Sequence, residues 1–417
     1  MAPRKAAARP FDVVVLGATG FTGRLAVEYL SSHYASPSSS SAVRWLATAR
    51  SSSKLEALRK ELYLDPSRVA LCDVGDEESL NSVVKQAGCI ANFAGSPFVD
   101  KAIPVVAACA KHGTHYIDIT GETPLQRATY DLHHDDARAT CALIVHQCGY
   151  DSIPSDLGAF LAVAALRERH GCDAATLKTF AGKTKGGASG GTLHTALTLL
   201  TSSKKQIPGA AAAAARGSYA LDPEGARGGP DTNDYGSVIG WDARAATWHM
   251  PFVMAAANAP VVRKSAALLG YGERVRYSEV QAVPSLLGAV GGLFGLLLGG
   301  LALLTPPIRW LLFLARVLPR PGEGPGKKLR ETGHFHMFTY AVGPAGEAAR
   351  ADIRSGAAGD PGYKATALMA VESALCLALE RGRCASEGGV LTPASAMGEV
   401  LVERLRAAGM VLESRAL

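Results

Sequence analysis

Short apolar runs alternate with amphipathic stretches throughout the first third of the chain. Each apolar run has the length of a buried strand, and each stretch behind it has the spacing of a helix. Six such units in series predict an α/β fold built on an open, doubly wound parallel sheet. The predicted strands cover residues 13–16, 43–47, 69–72, 89–93, 115–119 and 143–146.

The pattern changes after residue 149. A helix is predicted over 153–169, and β-rich or alternating stretches then predict a mainly antiparallel second sheet. We expect one domain over residues 11–150, an α+β domain over 151–355 and a C-terminal unit over 356–417. The other predicted elements are strands at 177–181, 275–280, 335–342 and 348–353, helices at 363–381 and 394–408, and a surface loop with low-complexity parts at 210–215 and 223–230.

One segment departs from this globular pattern. No charged residue occurs between Glu279 and Arg309, and 286–304 consists almost entirely of Leu, Gly, Ala and Val. The segment is just long enough to span a bilayer as a helix, and two prolines then interrupt it. Since residues 334–417 look like part of the same globule, we expect 286–318 to form a hairpin that dips into one leaflet or a groove that faces lipid. A buried core helix or a dimer helix is the alternative.

Composition narrows the class of protein. The 417 residues are 48% hydrophobic and 19% charged, which is a globular balance. The net charge of +6 comes without a basic stripe interleaved with aromatics, so no nucleic-acid partner is expected. The eight cysteines form no Cys-x-x-Cys pair, which favours reduced thiols of a cytosolic type. Residues 1–10 leave no room for a hydrophobic signal core, so secretion is not expected, whereas a short organelle-targeting tail stays open.

A glycine-spaced turn follows the first predicted strand. Glycines at this spacing allow a tight turn, a close approach of backbone to phosphate and close packing of the next helix on the strand. That helix would point its free N–H groups and the positive end of its dipole at a pyrophosphate. The turn therefore predicts a dinucleotide site, the alternative being an ordinary strand–turn–helix junction. Its residues are Gly17, Ala18, Thr19, Gly20, Phe21, Thr22 and Gly23.

The ends of the next three strands predict which dinucleotide binds. An NAD site usually places Asp or Glu after the second strand, where this chain has Arg50 followed by serines. Arg50 would pair with a 2′-phosphate, so we expect NADP(H) rather than NAD(H); a solvated loop arginine is the alternative. Asp73, after the third strand, is placed to contact the adenine edge or to cap the next helix. Ala94 and Gly95, after the fourth, are expected beneath the nicotinamide ribose or in a plain turn.

Acids and phenols collect at the ends of the fifth and sixth strands, where substrates of open α/β sheets bind. The candidates are Tyr116, Asp118, Glu122 and Tyr150. Period two places Tyr116 and Asp118 on one face of the fifth strand. Any of the four could be the proton donor that balances hydride movement or an anchor for the substrate, and a turn or capping role is the alternative for Asp118. No metal site is expected, because the histidines lack a companion cluster of cysteines or acids.

Several longer strings resemble a known family. They cover residues 17–23, 113–122, 148–158, 189–192, 322–326, 359–363 and 388–394. Taken together, they are similar to the saccharopine dehydrogenase-like oxidoreductases, the group that includes the trans-acting enoyl reductases of complex-lipid synthesis. The resemblance implies a Rossmann domain, an inserted α+β domain that covers the cofactor, and C-terminal helices that return to the first domain. Members usually carry Tyr-Gly after the fourth strand, which residues 94–104 lack.

The resemblance and the apolar segment together predict a function. We expect an NADP(H)-dependent reductase of a hydrophobic, lipid-linked substrate, acting at the cytoplasmic face of a membrane or on a lipid droplet. A homodimer is a further expectation, and a place in glycolipid synthesis is implied by the resemblance alone. One alternative is a nucleotide-binding protein of lipid surfaces without turnover. Another is a saccharopine-type amino-acid reductase, which the apolar segment disfavours because a small polar substrate needs no membrane.

Overall fold

The computed structural model describes residues 9–34, 43–95, 98, 101–187, 207–223, 238–319 and 323–417. Its strands are β1 (Phe11–Leu16), β2 (Trp45–Ala49), β3 (Val69–Leu71), β4 (Ala87–Asn92), β5 (His115–Asp118), β6 (Leu143–Val145), β7 (Thr176–Lys185), β8 (Gly240–Asp242), β9 (Thr247–Pro251), β10 (Arg276–Val283), β11 (His334–Val342), β12 (Ala348–Arg354), β13 (Gly389–Leu391) and β14 (Val411–Ala416).

Helices connect and cover these strands. They are α1 (Phe21–His33), α2 (Ser52–Glu61), α3 (Glu77–Val84), α4 (Ala102–His112), α5 (Thr123–Thr140), α6 (Ile153–His170), α7 (Ala210–Arg216), α8 (Ala255–Leu269), α9 (Leu286–Leu304), α10 (Pro306–Leu314), α11 (Lys327–Thr332), α12 (Thr366–Leu379) and α13 (Pro393–Ala407). A single π-helical turn, Pro361–Ala365, leads into α12.

The first sheet is parallel, with the strand order β13–β6–β5–β4–β1–β2–β3. From β1 the chain builds the sheet outward on one side through β2 and β3. It then returns to β4 and builds the other side, so the order reverses between β1 and β4. The carboxyl ends of the strands at such a reversal form the ligand crevice of doubly wound folds. The predicted α/β fold is confirmed.

The seventh strand of this sheet, β13, was not predicted. It pairs with β6 in parallel, with Gly389 opposite Leu143. Three residues are too few to show a hydrophobic period, and the partner strand lies far away in the sequence. Within the described residues, the predicted C-terminal unit 356–417 thus supplies β13 to the first sheet and β14 to the second.

The second sheet has the order β14–β12–β11–β7–β10–β9–β8. Its strands pair antiparallel except for β7 with β10, so the expected mainly antiparallel sheet is present. Helix α6 packs on its inner face against β11 and β12. The surface loop expected at 210–215 is wrong, since these residues lie in α7. The other part of that loop, 224–230, lies outside the described residues.

Two helices of the described chain are long and apolar enough to cross a membrane, judged by length and composition. The helical stretch Pro361–Leu379 is 78% buried and packs against β4, β5 and α1 as a core helix. The stretch Leu286–Leu304, which is α9, is only 6% buried. Ala289 and Gly292 seat its first half near Met250 of β9, and the remainder stands clear of the globule.

A buried carboxylate joins α6 to α13. Asp156 is fully buried, and its Oδ2 accepts a hydrogen bond of 2.8 Å from the backbone N–H of Ala394. Desolvation raises the pKa of Asp156 to about 7, although hydrogen bonds from Ser265 and Ala394 act in the opposite direction. The folded protein therefore holds this proton more tightly than the unfolded chain does.

Replacing Asp156 should change how stability depends on pH. The pKa of Asp156 is higher in the folded protein than its unfolded value of about 3.9. Its contribution to the free energy of unfolding is therefore fully present below about pH 3.9 and is lost as the pH rises to about 7. Asp156→Asn should remove this decline and add up to about 4 kcal/mol at pH 8. Urea titrations at several pH values test this, with the exposed Asp135→Asn as the control. Parallel curves for the two variants would refute the assignment.

Candidate nucleotide and catalytic site

The three glycines of the turn differ in the space that each leaves for a side chain. Gly17 has φ +77°, and a Cβ there would lie 2.7 Å from the backbone nitrogen of Ala94. A Cβ on Gly23 would lie 2.3 Å from the carbonyl oxygen of Gly17. Gly20 is exposed with φ −74°, and among the described residues its Cβ would meet the Gly17 oxygen alone, at 3.3 Å. The fold therefore requires Gly17 and Gly23, whereas Gly20 leaves the surface of the turn open to a ligand.

Helix α1 presents its N-terminus at this open surface. Gly20 is the N-cap, and within the described chain no side chain caps the helix. The turn itself is held by backbone bonds, from Ala18 N–H to the Thr48 oxygen and from Gly20 N–H to the Gly17 oxygen. Free N–H groups and the helix dipole attract an anion at such a position. These residues fit the pyrophosphate of a dinucleotide.

Arg50 lies exposed directly after β2, at the same edge of the sheet. Among the described residues its guanidinium has no hydrogen-bond or ion-pair partner, so it is available to an anionic ligand. Ser51, the next residue, caps α2 by accepting a hydrogen bond from Lys54 N–H. This arrangement fits a 2′-phosphate held by one cation beside a helix N-terminus.

Asp73 and the Ala94–Gly95 pair complete the edge around the turn. Asp73 is exposed, and its Oδ1 accepts 2.9 Å from Gly75 N–H, while Asp76 caps α3. The capping alternative for Asp73 is therefore wrong, and its contact with adenine stays a prediction. Ala94 and Gly95 lie beside the glycine turn at the end of β4, and Gly95 has φ +117°. Their placement beneath the nicotinamide ribose also stays a prediction.

Asp118 is the centre of a buried network at the ends of three strands. Its Oδ1 accepts 3.1 Å hydrogen bonds from the backbone of Thr120 and of Gln147. Its Oδ2 accepts 2.9 Å from the Tyr116 hydroxyl and lies 2.7 Å from His146 Nδ1. A carboxylate can only accept, so Nδ1 of His146 donates here. Asp118 thus joins the end of β5 to the end of β6.

Tyr116 extends this network to β4. Its hydroxyl accepts 3.0 Å from Asn92 Nδ2, and Asn92 Oδ1 accepts 2.9 Å from Ala94 N–H. Tyr116 and Asp118 share one face of β5, as period two predicted, and both are fully buried. Burial raises the pKa of the Tyr116 phenol well above its ordinary value, and the charge of Asp118 acts in the same direction. Both side chains are therefore committed to contacts within the sheet.

Glu122 lies at the start of α5 and is also fully buried. Its Oε1 accepts 2.9 Å from Phe98 N–H, and its own N–H donates to Thr120 Oγ1. The carboxylate thereby ties the segment after β4 to the segment after β5. The structure links Glu122 through Thr120 to Asp118, and so to Tyr116, behind the carboxyl end of β5.

Tyr150 differs from the other three candidates because it is partly exposed. Its ring meets Phe335 of β11 edge to face, with centroids 4.9 Å apart, and its N–H donates to Thr366 Oγ1. Desolvation raises the pKa of the Tyr150 phenol well above its ordinary value, so the hydroxyl keeps its proton at neutral pH. Next to it, burial raises the pKa of the Asp151 carboxyl to about 6.

Gln147 is a structural residue of this edge that sequence reasoning did not identify. This buried residue has φ +58°, which is uncommon for a side chain of this size. Its side-chain amide accepts a hydrogen bond from Ser152 Oγ and donates one to the Ala257 oxygen. Its backbone N–H donates to Asp118. Tertiary contacts hold this conformation and set the turn that carries Tyr150. A hydrogen-bonded glutamine in the left-handed region has no sequence signature of its own.

Comparisons with known proteins agree with this geometry. The family model described as "Saccharopine dehydrogenase NADP binding domain" matches residues 13–141. The chain is 37% identical, over 97% of its length and 98% of the relative, to a protein of Mycobacterium tuberculosis provisionally named a trans-acting enoyl reductase. It is 34% identical to the trans-acting enoyl reductase of Mycobacterium leprae, over 99% of both chains.

A solved structure shows the same fold. Apo saccharopine dehydrogenase (L-Glu forming) from Saccharomyces cerevisiae aligns with 97% of this chain and 99% of its own, with a TM-score of 0.52 and 12% identity. The fold and the nucleotide site therefore define an NAD(P)-dependent oxidoreductase. The chain belongs to the saccharopine dehydrogenase-like family that includes the trans-acting enoyl reductases, and its first domain takes NADP(H).

Arg50 can be tested as the residue that selects NADP(H). Arg50→Ser should weaken NADPH binding by roughly tenfold to hundredfold, because a charge-assisted hydrogen bond to the 2′-phosphate is lost. The affinity for NADH should not change, since that nucleotide lacks the phosphate. Quenching of protein fluorescence gives both dissociation constants, with the exposed Arg44→Ser at the opposite end of β2 as the control. Equal loss of both affinities would remove Arg50 from the 2′-phosphate site.

Proposed function

We propose that this protein reduces a carbon–carbon double bond in a hydrophobic, lipid-linked substrate, working against a membrane or lipid-droplet surface. The observation that carries the proposal is the exposed apolar pair of helices α9 and α10 on an NADP(H)-binding oxidoreductase. The names of the trans-acting enoyl reductases support the reaction class. A small polar amino acid would give the enzyme no use for such a surface.

The chain must supply a proton to match the hydride. Bound NADPH supplies the hydride, and a side chain at the crevice supplies the proton that completes reduction of the double bond. Tyr150 is the candidate for this role because, of the four acids and phenols at this edge, it alone is partly exposed and can reach a substrate. Tyr116 and Asp118 are enclosed in the sheet, so in this proposal they hold the crevice in shape.

Tyr150→Phe tests this role while keeping the ring against Phe335. We expect kcat to fall by roughly 10²–10³, because the general acid is removed, with the dissociation constant for NADPH unchanged. The assay follows NADPH oxidation with a long-chain 2-enoyl thioester in detergent micelles. Tyr63→Phe, at an exposed loop tyrosine, is the control and should be fully active. If Tyr150→Phe keeps its kcat while Asp151→Asn loses it, the proton comes from Asp151.

The same assay separates the proposal from a binding protein without turnover. Tight binding of NADPH with no oxidation by any enoyl lipid would favour that second class. Reduction of an imine formed from a small amino acid and a keto acid would favour the saccharopine type. Consumption of one NADPH for each double bond lost, measured by mass spectrometry of the lipid, would support the proposed reaction.

Helices α9 and α10 have the dimensions and surface of a membrane-inserting hairpin. Helix α9 has 19 residues and so is about 28 Å long, close to the thickness of a bilayer core. Within it, Leu297, Leu298 and Leu301 are each more than 60% exposed, and Trp310 of α10 is 63% exposed. So large a contiguous apolar surface is unusual on a water-soluble monomer.

Polar groups around this surface favour a lipid partner. The exposed Arg316 follows α10, and the exposed Lys327 and Lys328 begin α11. Cations beside an apolar helix pair suit anionic headgroups, while Trp310 suits the interface between headgroups and acyl chains. We therefore propose that the protein works at the cytoplasmic face of a membrane or on a lipid droplet. A homodimer through α9 is the competing use of the same surface.

Charged substitutions in α9 test the membrane assignment. The double variant Leu297→Asp with Leu301→Asp should lose flotation with phosphatidylcholine–phosphatidylglycerol vesicles, because each charge costs roughly 2.5–3.5 kcal/mol at bilayer depth. Leu132→Asp, at a similarly exposed leucine of α5, is the control and should still float. If the wild-type protein does not float and is a dimer, and the double variant is a monomer, the surface is a dimer interface.

A further inference from the structure

Two glycine-rich motifs that play no part in the chemistry above meet at the nucleotide turn. They are the segments at 322–326, described from residue 323 onward, and 359–363. Both belong to the chain that follows the apolar helices, yet both contact the side chain of Phe21, the first residue of α1. The phosphate-binding turn is thus held from outside its own domain.

Phe21 is gripped on three sides. Tyr363 meets its ring edge to face, with centroids 5.1 Å apart and planes at 86°. The guanidinium carbon of Arg330 lies 5.5 Å from the ring centroid. A Cβ built on Gly324 would lie 2.5 Å from two ring carbons, so the ring rests directly on the glycine backbone. Only glycine at 324 allows this approach.

Hydrogen bonds tie the segments around Phe21 to one another. Arg330 donates from its guanidinium to the Pro325 oxygen at 3.0 Å, and its own oxygen accepts 2.9 Å from Asp360 N–H. Asp360 in turn accepts hydrogen bonds from the backbone of Tyr363 and of Lys364. These hydrogen bonds hold the backbone behind Phe21, so we expect a Cβ at residue 324 to displace Phe21 and the turn before it.

We propose that Gly324 is a positioning residue for nucleotide binding: by admitting the Phe21 ring, it sets where the N-terminus of α1 presents its N–H groups to the pyrophosphate. Gly324 touches no part of the nucleotide in this scheme and acts only through Phe21. The proposal depends on the dinucleotide site and not on the identity of the reduced substrate. Nucleotide binding can be measured without the reduced substrate. A negative result for Gly324 therefore says nothing against the proposed reaction, and a negative result for the reaction says nothing against Gly324.

Gly324→Ala is the direct test. Its new Cβ displaces the Phe21 ring, so the dissociation constants for NADPH and NADH should both rise by roughly tenfold, since both share the pyrophosphate. Arg50→Ser, in contrast, should affect NADPH alone. Gly326→Ala is the matched control in the same motif, because a Cβ there meets none of the described residues within 4 Å. It should leave both constants unchanged.

Rescue distinguishes positioning from a general loss of structure. With Phe21→Leu in place the ring is gone, and adding Gly324→Ala should change the dissociation constants by less than about twofold. Unaltered binding by Gly324→Ala, or a loss that Phe21→Leu does not relieve, would overturn the proposal. Should Gly324→Ala fail to fold, Tyr363→Leu replaces it: a severalfold rise in both constants supports the role of Phe21, and unchanged binding refutes it.

Discussion

A single buried carboxylate holds the ligand-facing edge of the first sheet together. Asp118 accepts two backbone N–H groups and a phenol and pairs with His146, and through Tyr116 it reaches Asn92 at the end of β4. A charge with no access to water is tolerated only when such donors surround it. The ends of β4, β5 and β6 therefore cannot move independently. The crevice beside the glycine turn therefore depends on this network for the relative positions of these strand ends.

The second constraint is backbone contact around the glycine turn. From within, the Gly17 oxygen blocks any side chain at Gly23. From outside, the Phe21 ring rests on Gly324, and Tyr363 closes its edge. These contacts are so close that one added methyl group would disturb them. The packing therefore holds the turn in place before the nucleotide binds. A preformed turn spends less of the binding energy on ordering the site.

Much of the fold could be predicted because its signals are local. Strand and helix periods identified the doubly wound sheet, and the glycine turn with Arg50 indicated NADP(H), the cofactor of its family. The strand β13 and the left-handed backbone of Gln147 could not be predicted, since distant partners decide both. The four candidate proton donors lie in or after β5 and β6, but the sequence could not tell enclosed Tyr116 from partly exposed Tyr150.

The sequence alone predicts the alternation of strands and helices in the first third of the chain, the glycine-spaced turn and the long uncharged apolar segment. These depend on residue type and spacing along the chain. Packing separates the core helix from the surface helix, since Pro361–Leu379 and Leu286–Leu304 are alike in length and apolar composition but differ in burial. Only the tertiary structure placed Gly324 against Phe21. Side-chain chemistry determines whether a segment can be buried, but it does not determine which distant residues the segment packs against. Burial and long-range contacts are therefore properties of the packed chain.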